Sequence, residues 1–169
     1  LEYRIQEKGY YMMLVTRHKG RDLMEQILGW NLEAMISIGL GEREIRKVRS
    51  RFSGPMAVID GYCPLPEGVT NVRTDDRGGG YLMGKYLLKQ GHRDLLFLTD
   101  NDESVDHERW LGVKDALEEE QVGDAASRHI LVSQDPSKRR RQYREMLPFF
   151  RQQSVLFFAS DLYAVEALN

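Results

Sequence analysis

Three ionisable residues stand where a parallel α/β protein would place its chemistry. Asp60 follows the apolar run Met56–Ile59, Asp161 follows Val155–Ala159, and Arg109 lies in the first helical turns after Leu95–Leu98. A guanidinium offers a rigid fork of donors, and carboxylates offer only acceptors. The vicinal hydroxyls of a polyhydroxylated molecule both donate and accept, so this trio suits such a ligand. Each residue also has a simpler reading. Arg109 has Asp106 one turn earlier as an exposed ion-pair partner, Asp161 can cap a helix, and Asp60 can cap the turn before Gly61.

Other constellations fall short of chemistry. Gly79 to Lys85 has the glycine and lysine spacing of a phosphate-binding loop, but Tyr86 replaces the Ser or Thr that holds magnesium, and Asp75 and Asp76 precede it. Asp100, Asp102 and Ser104 resemble the start of a calcium loop, but Val105 stands where Gly is required and Leu111 where Glu is required. These acids, with Glu103, Asp106 and Glu108, read as a solvated loop and helix N-terminus. The histidines His18, His92, His107 and His129 have no metal-ligand spacing, there is no Gly-x-Ser-x-Gly elbow, and Cys63 has no nominated base. The reading is of a protein that is not an enzyme and needs no cofactor or metal. Lys138, Arg139, Arg140, Arg141 and Arg144 cluster on one segment and read as the exposed face of a helix whose other side carries Tyr143, Met146 and Leu147.

The elements that must position the trio follow from the apolar pattern. The 169 residues are 41% hydrophobic and 30% charged, enough for a core and unlike a disordered chain. One cysteine forms no internal disulfide, the net charge of −2 gives no basic footprint for nucleic acid, and no apolar run is long enough to span a membrane. Short runs at Met12–Val15, Met35–Ile38, Met56–Ile59, Leu95–Leu98, Ile130–Val132 and Val155–Ala159 lack polar alternation, as strands of a parallel sheet buried on both faces do. Asn71–Thr74 is a weaker strand. Helical spacing marks Arg21–Gly29, Glu42–Phe52, Arg77–Gln90 with Gly91 as its cap, Ser104–Glu120, a helix opened by Asp135-Pro136 and running to about Phe150, and a last one capped by Ser160 or Asp161. Strand and helix alternate about six times, which predicts an α/β fold with parallel sheets and ligands at the carboxyl ends of strands.

The stretch from Met56 to Leu117 carries a more specific pattern: Asp60 closing a strand, Asp75-Asp76 with Gly78–Gly80, Gly91-His92-Arg93, then Arg109-Trp110-Leu111-Gly112. Together with FFASDLYAVEAL at residues 157–168, where Ser160 stands in place of the usual Asn, it resembles the effector-binding core of the lactose-repressor and purine-repressor family of bacterial transcription regulators. The resemblance covers essentially the whole chain.

The resemblance implies two α/β subdomains of the periplasmic-binding-protein type facing a cleft, residues 1–91 and 92–169, with the first strand of one and later strands of the other lying outside the chain. It implies a small-molecule effector, a helix-turn-helix segment outside these residues that reads operator DNA, a homodimer, a cytoplasmic location and no membrane partner. It carries Asp60, Arg109 and Asp161 onto effector-contact positions, adds Arg73 as a cleft residue, and leaves Asp75 between an effector contact and a structural role. Tyr62 and Trp110 could face a sugar ring but read first as packing. Glu103 and Val105 stand where the purine-binding member has polar base contacts, so a sugar or sugar derivative is expected rather than a purine. A periplasmic sugar-binding protein of a transporter shares the fold and is the alternative.

Overall fold

The computed structural model describes residues 1–16, 27 and 29–169. The helix expected at Arg21–Gly29 and His18 lie almost wholly outside them. The described chain divides into two compact units, Leu1–Val72 and Arg73–Asn169.

The first unit holds helix α1 (Glu2–Gln6), strand β1 (Met35–Ile38), helix α2 (Glu42–Arg49) and strands β2 (Met56–Ile59) and β3 (Val69–Val72). The strands form one parallel sheet in the order β1-β2-β3, with Met35 level with Met56 and Met56 level with Val69. The α2 stripe falls as its spacing predicts: Ile45 and Val48 are buried on Met56 and Val58, with Phe52 packed alongside. Met12–Val15 forms no strand, and Tyr11 and Leu14 are exposed. The apolar run alone misleads there, because a strand exists only where a neighbour supplies hydrogen bonds. β3 begins two residues earlier than Asn71, since its register is set by pairing with β2.

The second unit holds α3 (Asp76–Lys89), β4 (Leu95–Thr99), α4 (Ser104–Glu119), a short 3-10 turn (Ala125–Arg128), β5 (His129–Leu131), α5 (Pro136–Phe150), β6 (Val155–Phe158) and α6 (Asp161–Leu168). Its sheet is parallel in the order β5-β4-β6. β4 is the central strand, and every one of its residues is buried. Alternate side chains serve opposite cores, as the pleat requires. Leu95 and Phe97 join Trp110, Val113, Ala116 and Leu117. Leu96 and Leu98 join Val132, Tyr143 and Phe150. The expectation of strands buried on both faces holds for β4 alone; β1 leaves Ile36 and Ile38 exposed.

α3 belongs to the second unit, so the division falls after Val72 and not at the expected Gly91–His92. The cause is a backbone-to-backbone seam between α3 and α4. A Cβ added at Gly80 would lie 2.1 Å from the Arg109 carbonyl, and one at Gly112 would lie 1.9 Å from the Arg77 carbonyl. Ion pairs flank the seam: Arg77 grips Asp115 through two hydrogen bonds of 2.7 and 2.9 Å, and Lys85 meets Glu119 and Glu120. α3 ends as predicted, with Gly91 at φ +91° and two closing bonds, Gly91 N–H to the Leu88 carbonyl and His92 N–H to the Leu87 carbonyl.

Candidate ligand-binding site

In the first unit, Asp60 is the residue directly after β2 and sits at φ +55°, a left-handed conformation that costs a non-glycine residue about 1 kcal/mol. The surrounding backbone fixes it there. Its N–H donates to the Val72 carbonyl at 3.0 Å. The Asn71 side chain braces Gly61 from both sides, accepting from the Gly61 N–H at 3.2 Å and donating to the Gly61 carbonyl at 2.7 Å. The turn thus presents a half-buried carboxylate at the carboxyl end of the central strand of this sheet.

In the second unit, Arg109 sits in the second turn of α4 and ties three elements together. Its Nε donates to Asp76 at 3.0 Å, and its guanidinium donates to the Ala159 carbonyl at 2.8 Å. Asp76 is buried and also accepts from the Thr74 hydroxyl at 2.8 Å. The simpler pairing of Arg109 with Asp106 does not occur: Asp106 accepts from the Thr99 hydroxyl and from Asn101. Arg109 therefore reaches the carboxyl end of β6 at Ala159, two residues before Asp161 in the chain, with its side chain still 37% exposed. Two donors of the fork are spent on positioning, and a guanidinium has five.

Asp161 is exposed in the first position of α6; the cap is Ser160, whose hydroxyl accepts from the Leu162 N–H at 3.3 Å, and the same N–H donates to the Asp161 carboxylate at 2.8 Å. Asp75 caps α3, accepting from Gly78 N–H at 2.9 Å, so its carboxylate has the structural role. Arg73 is exposed at the entry to α3. Within the second unit, Arg73, Asp75, Arg109 and Asp161 lie at the starts of α3 and α6 and in the early turns of α4; Asp60 lies in the other unit. Trp110 is core: it is buried and stacked on His129 with ring centroids 4.8 Å apart.

Sequence reasoning missed a polar network at the same sheet edge. The acids after β4 are not merely solvated: Asp100, Asn101 and Asp106 bind one another and buried Thr99. Arg139 is not part of an exposed basic face. It is 2% exposed, bonded to Glu166 at 2.6 Å and to the Ser133 carbonyl at 2.8 Å, 3.6 Å from Asp100, and lies over the Tyr163 ring. The signal was present in the helical spacing, because Arg139 shares a face with Tyr143, Met146 and Phe150. The Glu166 carboxyl is held below its usual range by Arg139, and the Tyr163 hydroxyl is raised by burial and then by its bond to Asp100. His129 is pushed down by burial, which outweighs Asp102, 3.8 Å away. Among the described residues no group of three His, Cys, Asp or Glu side chains is set to hold a metal ion, and no helix is long and apolar enough to cross a membrane.

Solved structures share this architecture. A sugar-binding transcriptional regulator of the LacI family from Escherichia coli, complexed with phosphate, superposes with a TM-score of 0.71 at 22% identity, over 96% of this chain and 61% of that one. A LacI-family regulator from Enterococcus faecium with bound ribose gives 0.75 at 18% identity, over 99% and 62%. The complex of the transcriptional regulator CelR with cellobiose gives 0.82 at 21% identity, over 99% and 53%. The chain thus spans less than two thirds of the length of these proteins. No curated protein sequence matches it. The model of one family, the periplasmic binding proteins and sugar-binding domains of the LacI family, matches residues 3–147, and the chain belongs to that family.

Proposed function

We propose that this chain is the effector-sensing core of a bacterial transcription regulator, taking a sugar or sugar derivative. Asp60, Arg109 and Asp161 are its principal polar contacts, with Arg73 beside them and Asp75 shaping the helix start. The observation that carries the reading is Arg109: a half-exposed guanidinium anchored by a buried carboxylate and a strand-end carbonyl, with donors left over. A neutral polyol meets both a donor fork and free acceptors there. The similar structures solved with ribose, cellobiose and phosphate support a hydroxyl-rich or phosphorylated ligand for this chain as well. Operator DNA would be read by a segment outside these residues, in a homodimer. An effector changes DNA binding only through its different affinity for two arrangements of the protein.

A thermal-shift screen with ribose, cellobiose, other sugars and inorganic phosphate identifies the effector, and titration calorimetry then measures it. A ligand at a hundred times its dissociation constant raises stability by about 2.7 kcal/mol. Arg109→Ala is expected to weaken binding about a hundredfold, the loss of one or two charged hydrogen bonds. Arg109→Lys keeps the charge without the fork and should recover little of it. Unchanged affinity in a folded Arg109→Ala chain rejects the assignment.

A further inference from the structure

Two imidazoles converge on one carboxylate within the second unit. His107 Nδ1 lies 2.8 Å from Asp102 Oδ1, and His129 Nδ1 lies 3.8 Å from the same oxygen. Asp102 belongs to the loop of residues 100–103 after β4, His107 to the first turn of α4, and His129 to the first position of β5. The His129 side chain is 10% exposed. Its ring is stacked on Trp110 with centroids 4.8 Å apart and stands edge-on to Phe97 at 5.7 Å. Its Nε2 is buried and has no hydrogen-bond partner among the described residues.

This geometry suits one protonation state of His129. A carboxylate only accepts, so the proton of the neutral ring belongs on Nδ1, toward Asp102, and Nε2 is left as a bare acceptor. A second proton has to sit on Nε2, as the buried N–H of a charged ring with nothing to receive it. The groups that act on the ring come from three elements. Asp102 faces it from the loop, His107, Asp106 and the Trp110 ring from α4, and the Phe97 ring from β4. Arg128, the preceding residue, is turned to the Arg93 and Leu95 carbonyls. Burial outweighs the two carboxylates and, with the opposing charge of His107, holds the His129 pKa below its ordinary 6.5. The stabilisation from the neutral ring is complete above that ordinary value and is lost as pH falls through the lower folded one.

We propose that His129, Asp102 and His107 form a proton-operated latch between the loop of residues 100–103 and β5. The latch is closed while the neutral His129 ring rests on Trp110 and faces Asp102. In acid, the second proton drives the ring off Trp110 so that its Nε2–H reaches water, while His107 keeps Asp102 on α4. Trp110 packs the second turn of α4 into the core, and Arg109 precedes it, so release loosens the turn that carries Arg109. On the effector reading above, acid then weakens effector binding; the latch itself stands on groups outside that site.

Trp30→Phe leaves Trp110 as the only tryptophan. Titrated from pH 7.5 to 5, over the range in which far-UV circular dichroism is constant, its emission should move to longer wavelength in one transition with a midpoint below 6.5. The ring resonance of His129 should report the same midpoint by NMR. His129→Phe should abolish the transition. Asp102→Asn should move it to lower pH and His107→Gln to higher pH, because the carboxylate favours a charge on His129 and the imidazolium opposes it. Emission that loses intensity without shifting shows a ring protonated in place, which overturns the latch. So does a transition that survives in His129→Phe, or a midpoint that neither neighbouring substitution moves. No ligand enters these measurements, so the latch and the effector reading stand or fall separately.

Discussion

The seam between α3 and α4 gives the sharpest quantitative test, because three glycines on or against one helix should respond to the same substitution with opposite signs. At Gly112 an added Cβ would sit 1.9 Å from the Arg77 carbonyl and 2.6 Å from the Tyr81 N, both backbone atoms that cannot rotate away. Ordinary contact begins near 3.4 Å, so the helices must part by more than 1 Å. Parting them loosens the packing of Trp110, Val113 and Ala116 and stretches the two bonds of Arg77 to Asp115. Overpacking of this kind costs about 3 kcal/mol, more than the roughly 1 kcal/mol that alanine gains over glycine in a helix. Gly112→Ala should therefore destabilise by about 2 kcal/mol or more. Gly80→Ala, with its Cβ 2.1 Å from the Arg109 carbonyl, should behave alike and should also displace Arg109. At Gly79 the Cβ meets nothing, so Gly79→Ala should stabilise the dilute chain by up to about 1 kcal/mol. Urea melts followed by circular dichroism at low micromolar concentration measure all three. In a thermal scan, 2 kcal/mol corresponds to a fall of roughly 4–8 °C for a chain of this size. A Gly112→Ala protein as stable as the parent would refute the seam, and with it the assignment of α3 to the second unit.

Further outcomes follow from the polar network. Arg139→Met should cost about 3–5 kcal/mol, because it leaves Glu166 and Asp100 at the sheet edge without their cation, whereas Arg140→Met should change stability by less than about 0.5 kcal/mol; chemical denaturation compares them. For His129, burial lowers the folded pKa below the unfolded value near 6.5, so the unfolded state takes up the proton first. Its contribution is complete above that unfolded value and is lost as pH falls through the folded one; in His129→Phe, which keeps an aromatic ring on Trp110, the unfolding free energy should fall less between pH 7.5 and pH 5 than in the parent. Asp60→Gly should relieve the left-handed strain and raise stability slightly, by up to about 1 kcal/mol, yet weaken effector binding in the calorimeter; a stabilised variant with full affinity would remove Asp60 from the site.

Most of the scaffold was legible because it rests on local signals. Gly91 ends α3, Asp135 caps α5 and Ser160 caps α6, each through a bond to a neighbour within a few residues. What escaped depends on partners distant in sequence. Nothing near Met12–Val15 announces whether a neighbouring strand will receive it. The unit boundary was read from Gly91-His92, yet it is decided by Gly80 meeting Arg109 and Gly112 meeting Arg77, contacts more than two dozen residues apart. Arg139 was grouped with its basic neighbours because charge is easier to read than helical phase; its i, i+4 relation to Tyr143 placed it inside. Arg109 was singled out without its partner Asp76, since the nearer Asp106 offered a plausible pair.

These long-range bonds sharpen the functional argument. At the carboxyl edge of the second sheet, nearly every charge is spent on another protein group. Asp106 serves Thr99 and Asn101, Arg139 serves Glu166 and the Ser133 carbonyl, and Tyr163 serves Asp100. Such a network fixes the ends of β4, β6 and α6 with little freedom, because a buried ion deprived of its partner is costly. Against that background Arg109 and Asp161 stand apart. Arg109 is held in place from behind by Asp76 and the Ala159 carbonyl while its side chain remains partly exposed. Asp161 is exposed at the same helix start, where its Oδ1 shares the Leu162 N–H with the Ser160 hydroxyl, at 2.8 and 3.3 Å. Groups positioned by a rigid frame and only partly consumed by it can bind a ligand without first being immobilised, which is where preorganisation converts contacts into affinity. If the frame does this work, Arg139→Lys should lower effector affinity although Arg139 is buried away from the ligand, while Asp161→Asn lowers affinity without lowering the melting temperature. The two variants separate positioning from contact in one pair of measurements.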